Sequence, residues 1–316
     1  MATQATKQQM AEAVAAIRAN MADAARAAGR DPAEVLLCAA CKTRTVEEVR
    51  ESAALDIDLF GENHVQELVE KTDAGAYLGK PGHFIGHLQT NKVNKVVGRA
   101  AMIESVDSQR LLDKIETAAA RLGVTQDILI EINIGDEESK SGVSPDALWA
   151  LADAAEAAAH LRLRGLMAIP PADAAPDETR AFFAQMRTLL TRLQERHYAA
   201  ALPDTLSMGM SGDYQAAIRE GATIVRIGTA IYGARDYGAR GCPPPPFVCP
   251  GGAGAPGRAN PTRPDQENPP RRAAAAPGGA VLCAYSILMP VPSKRRTTSG
   301  KLNLAPFSVL SAGAMT

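Results

Sequence analysis

Thr223-Ile-Val-Arg-Ile-Gly-Thr229 is a short β-branched run with one charged residue, Arg226, in its middle, and it is the last of eight such runs. Working back toward the N-terminus, the others lie at 205–210, 163–169, 127–134, 101–106, 83–86, 58–63 and 36–41. Helical patterns fill the intervals, among them 108–122, 145–160 and 177–198. Strict alternation of strand and helix builds a parallel sheet with crossover helices. Eight units in the first 237 residues close that sheet into a barrel. An open doubly wound sheet is the competing architecture, and the chain lacks the Gly-x-Gly-x-x-Gly turn that such a sheet places after an early strand. The expected fold is therefore α/β, a single (β/α)8 TIM barrel.

Both ends add something to the barrel. Met10, Val14, Ile17 and Met21 recur at helical steps with Glu12 and Asp23 between them, which predicts an extra amphipathic N-terminal helix and not a signal peptide or membrane span. Beyond Tyr237 the composition changes abruptly: 14 of the 21 prolines fall there, among Gly, Ala and Arg, with no sustained apolar period. Such a segment buries too little surface to offset its ordering entropy, so 238–316 reads as a low-complexity, disordered tail. Only the run at 281–291 is apolar enough to dock. The tail holds nine Lys/Arg against two Asp/Glu, so the net charge of −1 hides −8 on residues 1–237. An acidic body argues against a nucleic-acid partner. Five cysteines, three of them in the tail, give no disulfide framework, and a reducing cytoplasm is the expected compartment.

Chemistry in a barrel of this kind sits where the strands end at the C-terminal face. Lys42 stands there on the first strand and shares a face with Leu36, Cys38 and Ala40, and the small residues below the lysine leave room for a flat ligand. By position alone such a lysine could simply snorkel to solvent. Partial desolvation would instead favour a neutral, nucleophilic amine. Arg226 shares a face with Ile224 and Gly228 and, if turned inward, needs a buried acceptor. Gly228-Thr229 ends the eighth strand with an unobstructed backbone amide and a hydroxyl. Ser211-Gly212 does the same after the seventh, ahead of a short helical pattern, and alone would pass for a helix cap. Barrels commonly bind phosphate with these two loops. A phosphate cradle and a candidate Schiff-base lysine thus lie on adjoining strands of a closed ring.

Two other motifs carry less. Cys38 and Cys41 have a Cys-x-x-Cys spacing, but residues three apart on a strand face opposite ways and cannot share a metal or pair. His83 and His87, four apart, would make a metal face only on a helix; with no carboxylate cluster evident, hydrogen bonding near a ligand or a plain structural role is the better reading.

Seven motifs in order complete the picture: Cys41-Lys-Thr43; Phe60-Gly-Glu-Asn63 with Gln66-Glu67; His83-Phe-Ile-Gly-His-Leu-Gln-Thr-Asn-Lys92; Ile132-Asn-Ile-Gly135 with Lys140-Ser-Gly142; Leu163-Arg-Gly-Leu-Met-Ala-Ile-Pro170; Leu206-Ser-Met-Gly-Met-Ser211; and Val225-Arg-Ile-Gly-Thr229. From about residue 7 to Tyr237 the chain resembles the pyridoxal phosphate homeostasis proteins of YggS/PROSC type, whose fold is similar to the barrel domain of alanine racemase. The resemblance implies pyridoxal 5′-phosphate (PLP) bound as a Schiff base on Lys42. It implies that Arg226 faces the pyridine nitrogen, that Ser211, Gly228 and Thr229 hold the phosphate, and that Asn63 and Met167 lie near the cofactor. Cys41 stands where a serine is common and Gly212 where an acidic residue is common; neither removes a donor from the cradle.

The expected function is PLP homeostasis, with delivery to apo-enzymes and exchange with amino acids, and without robust catalysis or a bound metal. The competing reading is an amino-acid racemase or decarboxylase on the same barrel. Racemases, by the same resemblance, add a β domain with a second catalytic tyrosine, which the residues after Tyr237 cannot form. An arginine at the ring nitrogen cannot give up its proton and would leave the ring a weak electron sink. A third reading, a barrel that has lost its ligand, is opposed by the intact Lys42, Arg226 and Thr229.

Overall fold

A computed structural model describes residues 5–137, 141–196 and 202–233. The proposed tail, the apolar run at 281–291 and Lys140 lie outside the described residues. Eight parallel strands run β1 Leu36–Ala40, β2 Leu59–Glu62, β3 Gly82–Phe84, β4 Met102–Val106, β5 Gln126–Ile132, β6 Leu161–Ala168, β7 Thr205–Ser207 and β8 Ile224–Ile227, paired in sequence order. β8 closes the ring onto β1, with Leu36 opposite Ile224 and Cys38 opposite Arg226. The expected (β/α)8 barrel is the fold, and the open sheet is excluded.

The helices are α1 Lys7–Ala27, α2 Val46–Ala53, α3 Val65–Asp73, α4 Val93–Val96, α5 Gln109–Leu122, α6 Leu148–Ala157, α7 Pro176–Gln194, α8 Tyr214–Arg219 and α9 Thr229–Tyr232. Among the described residues, no helix is long and apolar enough to cross a membrane. Thr6 starts α1 through a reciprocal capping box with Gln9. Met10, Val14, Ile17 and Met21 are all buried, as their spacing predicts, and α1 packs against α8 and α9. Burying each such side chain contributes up to roughly 1.5–3 kcal/mol, so this stripe suffices to dock the helix. Polar ties fix its orientation: Asn20 Nδ2 donates to the Tyr214 hydroxyl at 3.2 Å, and Arg30 Nη1 donates to the carbonyls of Ile218 and Ala222 at 2.9 Å.

Strand alternation divides the buried residues into two layers. Leu37, Ala39, Cys41, Val225 and Ile227 face the helices and belong to the main core, whereas Cys38, Leu59 and Ile224 form a separate cluster inside the barrel. Met102, Leu129 and Met167 form a second interior cluster. The two cysteines of the Cys-x-x-Cys motif accordingly lie in different layers.

Several strands stop before the apolar runs do. β7 ends at Ser207 instead of 210 and β8 at Ile227 instead of 229. After β7 the backbone leaves the sheet through Gly209 at φ 92°, where a Cβ would lie 2.6 Å from that of Ala217. Only glycine serves there, for conformation and for space. The residues that leave the ladder build the mouth of the barrel.

Candidate functional site

Lys42 lies two residues beyond the end of β1 and is half-buried, on the alternating face that Cys38 turns into the barrel. The loop carrying it is held from behind. Lys71 Nζ donates to the Cys41 carbonyl at 2.8 Å, and Glu67 Oε2 accepts the Thr43 backbone N–H at 2.8 Å. Thr43 adopts φ 66°, left-handed for a β-branched residue, and that bond supports it. Lys71 also bridges Glu62 at 2.8 Å and Glu67 at 3.2 Å. Glu62 further accepts from Cys41 Sγ at 2.8 Å and the Tyr77 hydroxyl at 3.2 Å. Burial pushes the Glu62 carboxyl up, with Lys71 opposing, and pushes the Cys41 thiol well up, so Cys41 is an inert structural thiol.

Across the β1–β8 seam the predicted phosphate residues converge. Thr229 Oγ1 donates to Ser211 Oγ at 3.2 Å, joining the loops after β7 and β8. Gly228 lies against β1: a Cβ there would sit 3.0 Å from the Ala40 carbonyl oxygen. Gly212 is exposed, with nothing within 4 Å of a hypothetical Cβ, so it is not a steric requirement. Two hydroxyls beside a side-chain-free strand end suit the oxygens of a phosphate monoester.

Inside the barrel, Arg226 is buried and finds the acceptors its position demands: Nη1 donates to Ser207 Oγ at 2.6 Å and Nη2 to the Ala168 carbonyl at 3.0 Å. Ser207 in turn donates to Glu104 Oε2 at 2.6 Å, and Glu104 Oε1 lies 2.6 Å from His83 Nδ1. Burial alone would raise the Glu104 carboxyl, but His83, Arg226 and Ser207 together hold it below the usual carboxylate range. The result is a satisfied polar chain across the barrel from β8 through β7 and β4 to β3.

Met167 lies inside the barrel, packed with Met102 and Leu129, and is paired in register with Glu131 and Ser207. Asn63 follows β2 and lines a cavity at the mouth. Gly86 is needed beside it, because a Cβ there would overlap the Asn63 backbone. The histidines have carboxylate partners the sequence reading did not find: His83 has Glu104, and His87 has Asp107 at 3.3 Å. These are one-to-one pairs, and among the described residues no group of three or more His, Cys, Asp or Glu could hold a metal ion.

Sequence reasoning passed over Glu104, Glu131 and the Glu62–Lys71 pair. Glu104 and Glu131 carry the signal that singled out Arg226, a charge embedded in an apolar strand. Lys71 sits on an ordinary-looking helix, and only the fold shows that it points inward.

The family model for the N-terminal domain of alanine racemase matches residues 13–236. The chain is 44% identical over 210 residues to the pyridoxal phosphate homeostasis protein of Aquifex aeolicus, covering 66% of this chain and 91% of that protein. It is also 44% identical over 230 residues to the protein of the same name from Pseudomonas aeruginosa, covering 73% and 97%. The chain belongs to the pyridoxal phosphate homeostasis protein family. Among solved structures, PipY of Synechococcus elongatus with PLP bound is similar at a TM-score of 0.62 and 33% identity, over 71% of this chain and 100% of that one.

Proposed function

We propose that this chain holds PLP as a Schiff base on Lys42 and serves intracellular PLP homeostasis in the cytoplasm, passing the cofactor to apo-enzymes. The observation that carries the reading is the 3.2 Å meeting of the Ser211 and Thr229 hydroxyls beside Gly228, at the end of β8, which pairs with β1, the strand that leads into Lys42. A phosphate grip there and an amine on Lys42 would meet the two ends of a phosphorylated aldehyde. Asn63 and Met167 would flank the ring and Arg226 would face its nitrogen. When bound, PLP supplies an aldehyde that condenses reversibly with primary amines and a ring that can draw electron density.

A guanidinium has no proton to share with the ring, so an arginine in that place favours a carrier over carbanion chemistry. The racemase reading rests on the family model and needs a second acid on the opposite face of the substrate. We take 1–237 as the cofactor-binding domain and 238–316 as a separate low-complexity tail, a division supported by the match that ends at residue 236.

The deciding experiment is borohydride reduction of the purified yellow protein followed by peptide mass mapping, with the cofactor mass expected on Lys42. A label on any other lysine overturns the assignment. Incubation of the loaded protein with L-amino acids in heavy water should show no appreciable α-proton exchange; exchange at enzymatic rates would establish an enzyme instead.

A further inference from the structure

At the mouth, between the ends of β2, β3, β5 and β6, lies a cavity of about 290 Å³ whose walls include Asn63, Gly86, His87, Glu131, Asn133 and Ser141. Small-molecule sites begin at roughly this size, so it suits a compact ligand. Several of its polar groups are already engaged. The Asn133 side chain donates to the Glu137 carbonyl at 2.9 Å and accepts its N–H at 3.2 Å. Ser141 Oγ lies 3.2 Å from His87 Nδ1, which also meets Asp107.

Glu131 differs from these. It is only 8% exposed, lines the cavity, and its side-chain carboxyl makes no hydrogen bond to any described residue, although its backbone carbonyl accepts from the Val143 N–H at 2.9 Å. The Asn63 side chain likewise makes none. Among the described residues, the charges facing Glu131 are Asp107 from the end of β4, which repels it, and Arg226 from β8, which attracts it but is bonded to Ser207 and Ala168. His87 stands at the cavity wall with its side chain 57% exposed, and the His83–Glu104 pair lies within the barrel. A mostly buried carboxylate with no partner among the described residues and open only to this cavity is costly, so the group that completes it is a cation rich in N–H donors. With Glu131 and Asp107 on one side, a ligand carboxylate would meet like charge in the same small space.

We propose that this cavity binds a small primary ammonium ion with no adjacent carboxylate, received by the Glu131 carboxylate and the Asn63 side-chain carbonyl. The proposal rests on the PLP reading only for the purpose of the site, because the cavity's own chemistry needs no cofactor. It names the class of molecule that would share the mouth with the cofactor.

The test titrates n-propylamine, L-alanine and propan-1-ol into the full-length protein freed of cofactor, and again with pyridoxine 5′-phosphate, which has no aldehyde to react with amines. Binding is followed by saturation-transfer NMR of each small molecule. Propylammonium should bind, with alanine and propanol each weaker by about tenfold or more. Burial pushes the Glu131 carboxyl up to about 7, so propylammonium affinity should rise about tenfold from about pH 6 to about pH 8 as the carboxylate forms. Glu131→Gln should remove both the affinity and the rise, while Glu131→Asp should keep the rise.

Equal binding of propanol or alanine, full affinity in Glu131→Gln, loss of the rise in Glu131→Asp, or displacement of propylammonium by pyridoxine 5′-phosphate would each overturn the proposal. Failure of PLP itself to bind, read from the visible spectrum, would strike the function proposed above and leave the amine titration standing.

Discussion

Lys71 Nζ donates to the Cys41 carbonyl oxygen at 2.8 Å, so a lysine buried on α3 grips the backbone one residue ahead of Lys42. The same ammonium neutralises Glu62, whose second carboxylate oxygen has no hydrogen-bond partner. Lys71→Met should leave that carboxylate buried and uncompensated, at a cost on the order of 3–5 kcal/mol in chemical denaturation. Adding Glu62→Gln should recover much of the loss, because the stranded charge goes with it. Both variants should hold PLP less tightly, since the Lys42 loop loses its tie. A Lys71→Met protein as stable as the parent would show that this pair contributes nothing.

The cradle after β7 and β8 predicts ligand-selective losses. Thr229→Val and Ser211→Ala should each weaken PLP by about ten- to a hundredfold, since a hydrogen bond to a charged oxygen is worth roughly 1.5–3 kcal/mol. Unphosphorylated pyridoxal should be nearly unaffected. Equal losses for the two ligands in equilibrium titrations would place those hydroxyls away from the phosphate.

The ring of strands was legible because each buried parallel strand is a short apolar run separated from the next by a helix-length interval. The α1 stripe was legible because four buried side chains repeat at helical spacing on one polar helix. Arg226 stood out because a guanidinium in an apolar run must have acceptors, and Ser207 and Ala168 supply them. What the sequence hid depends on distance across the barrel. Nothing local ties Glu104 on β4 to Ser207 on β7, 103 residues apart, or tells that Lys71 leaves its helix for the back of β1. The strand ends were hidden for a related reason: residues after β7 and β8 are as apolar as the strands, and only the ladder shows where pairing stops.

The tail calls for a separate measurement. A chain ending at Tyr237 should keep the melting temperature and PLP affinity of the whole, because the family match ends at residue 236 and the described strands already close the barrel. A fall of several degrees on truncation would show that the apolar run at 281–291 contributes to the barrel's stability.

Glu131 makes the stability of this barrel depend on pH near neutrality. Burial pushes its carboxyl from 4.5 to about 7, Asp107 adds to the rise and Arg226 opposes it. Between those values the folded protein holds a proton that the unfolded chain has released. Stability from this group is therefore greatest in mild acid, falls as pH climbs toward about 7 and is level above it, with a full loss of about 3 kcal/mol. Glu104 runs the other way: its carboxyl is held low, so its contribution is present above the ordinary carboxylate pKa and is lost as pH falls through the folded value. Glu131→Gln should thus flatten the neutral limb of the stability profile, leave the acid limb in place, and be more stable than the parent at about pH 8. Urea midpoints for both proteins at unit steps from about pH 4 to about pH 8 measure this, and profiles that stay parallel across that range would show that Glu131 is ionised in the fold and carries no such penalty.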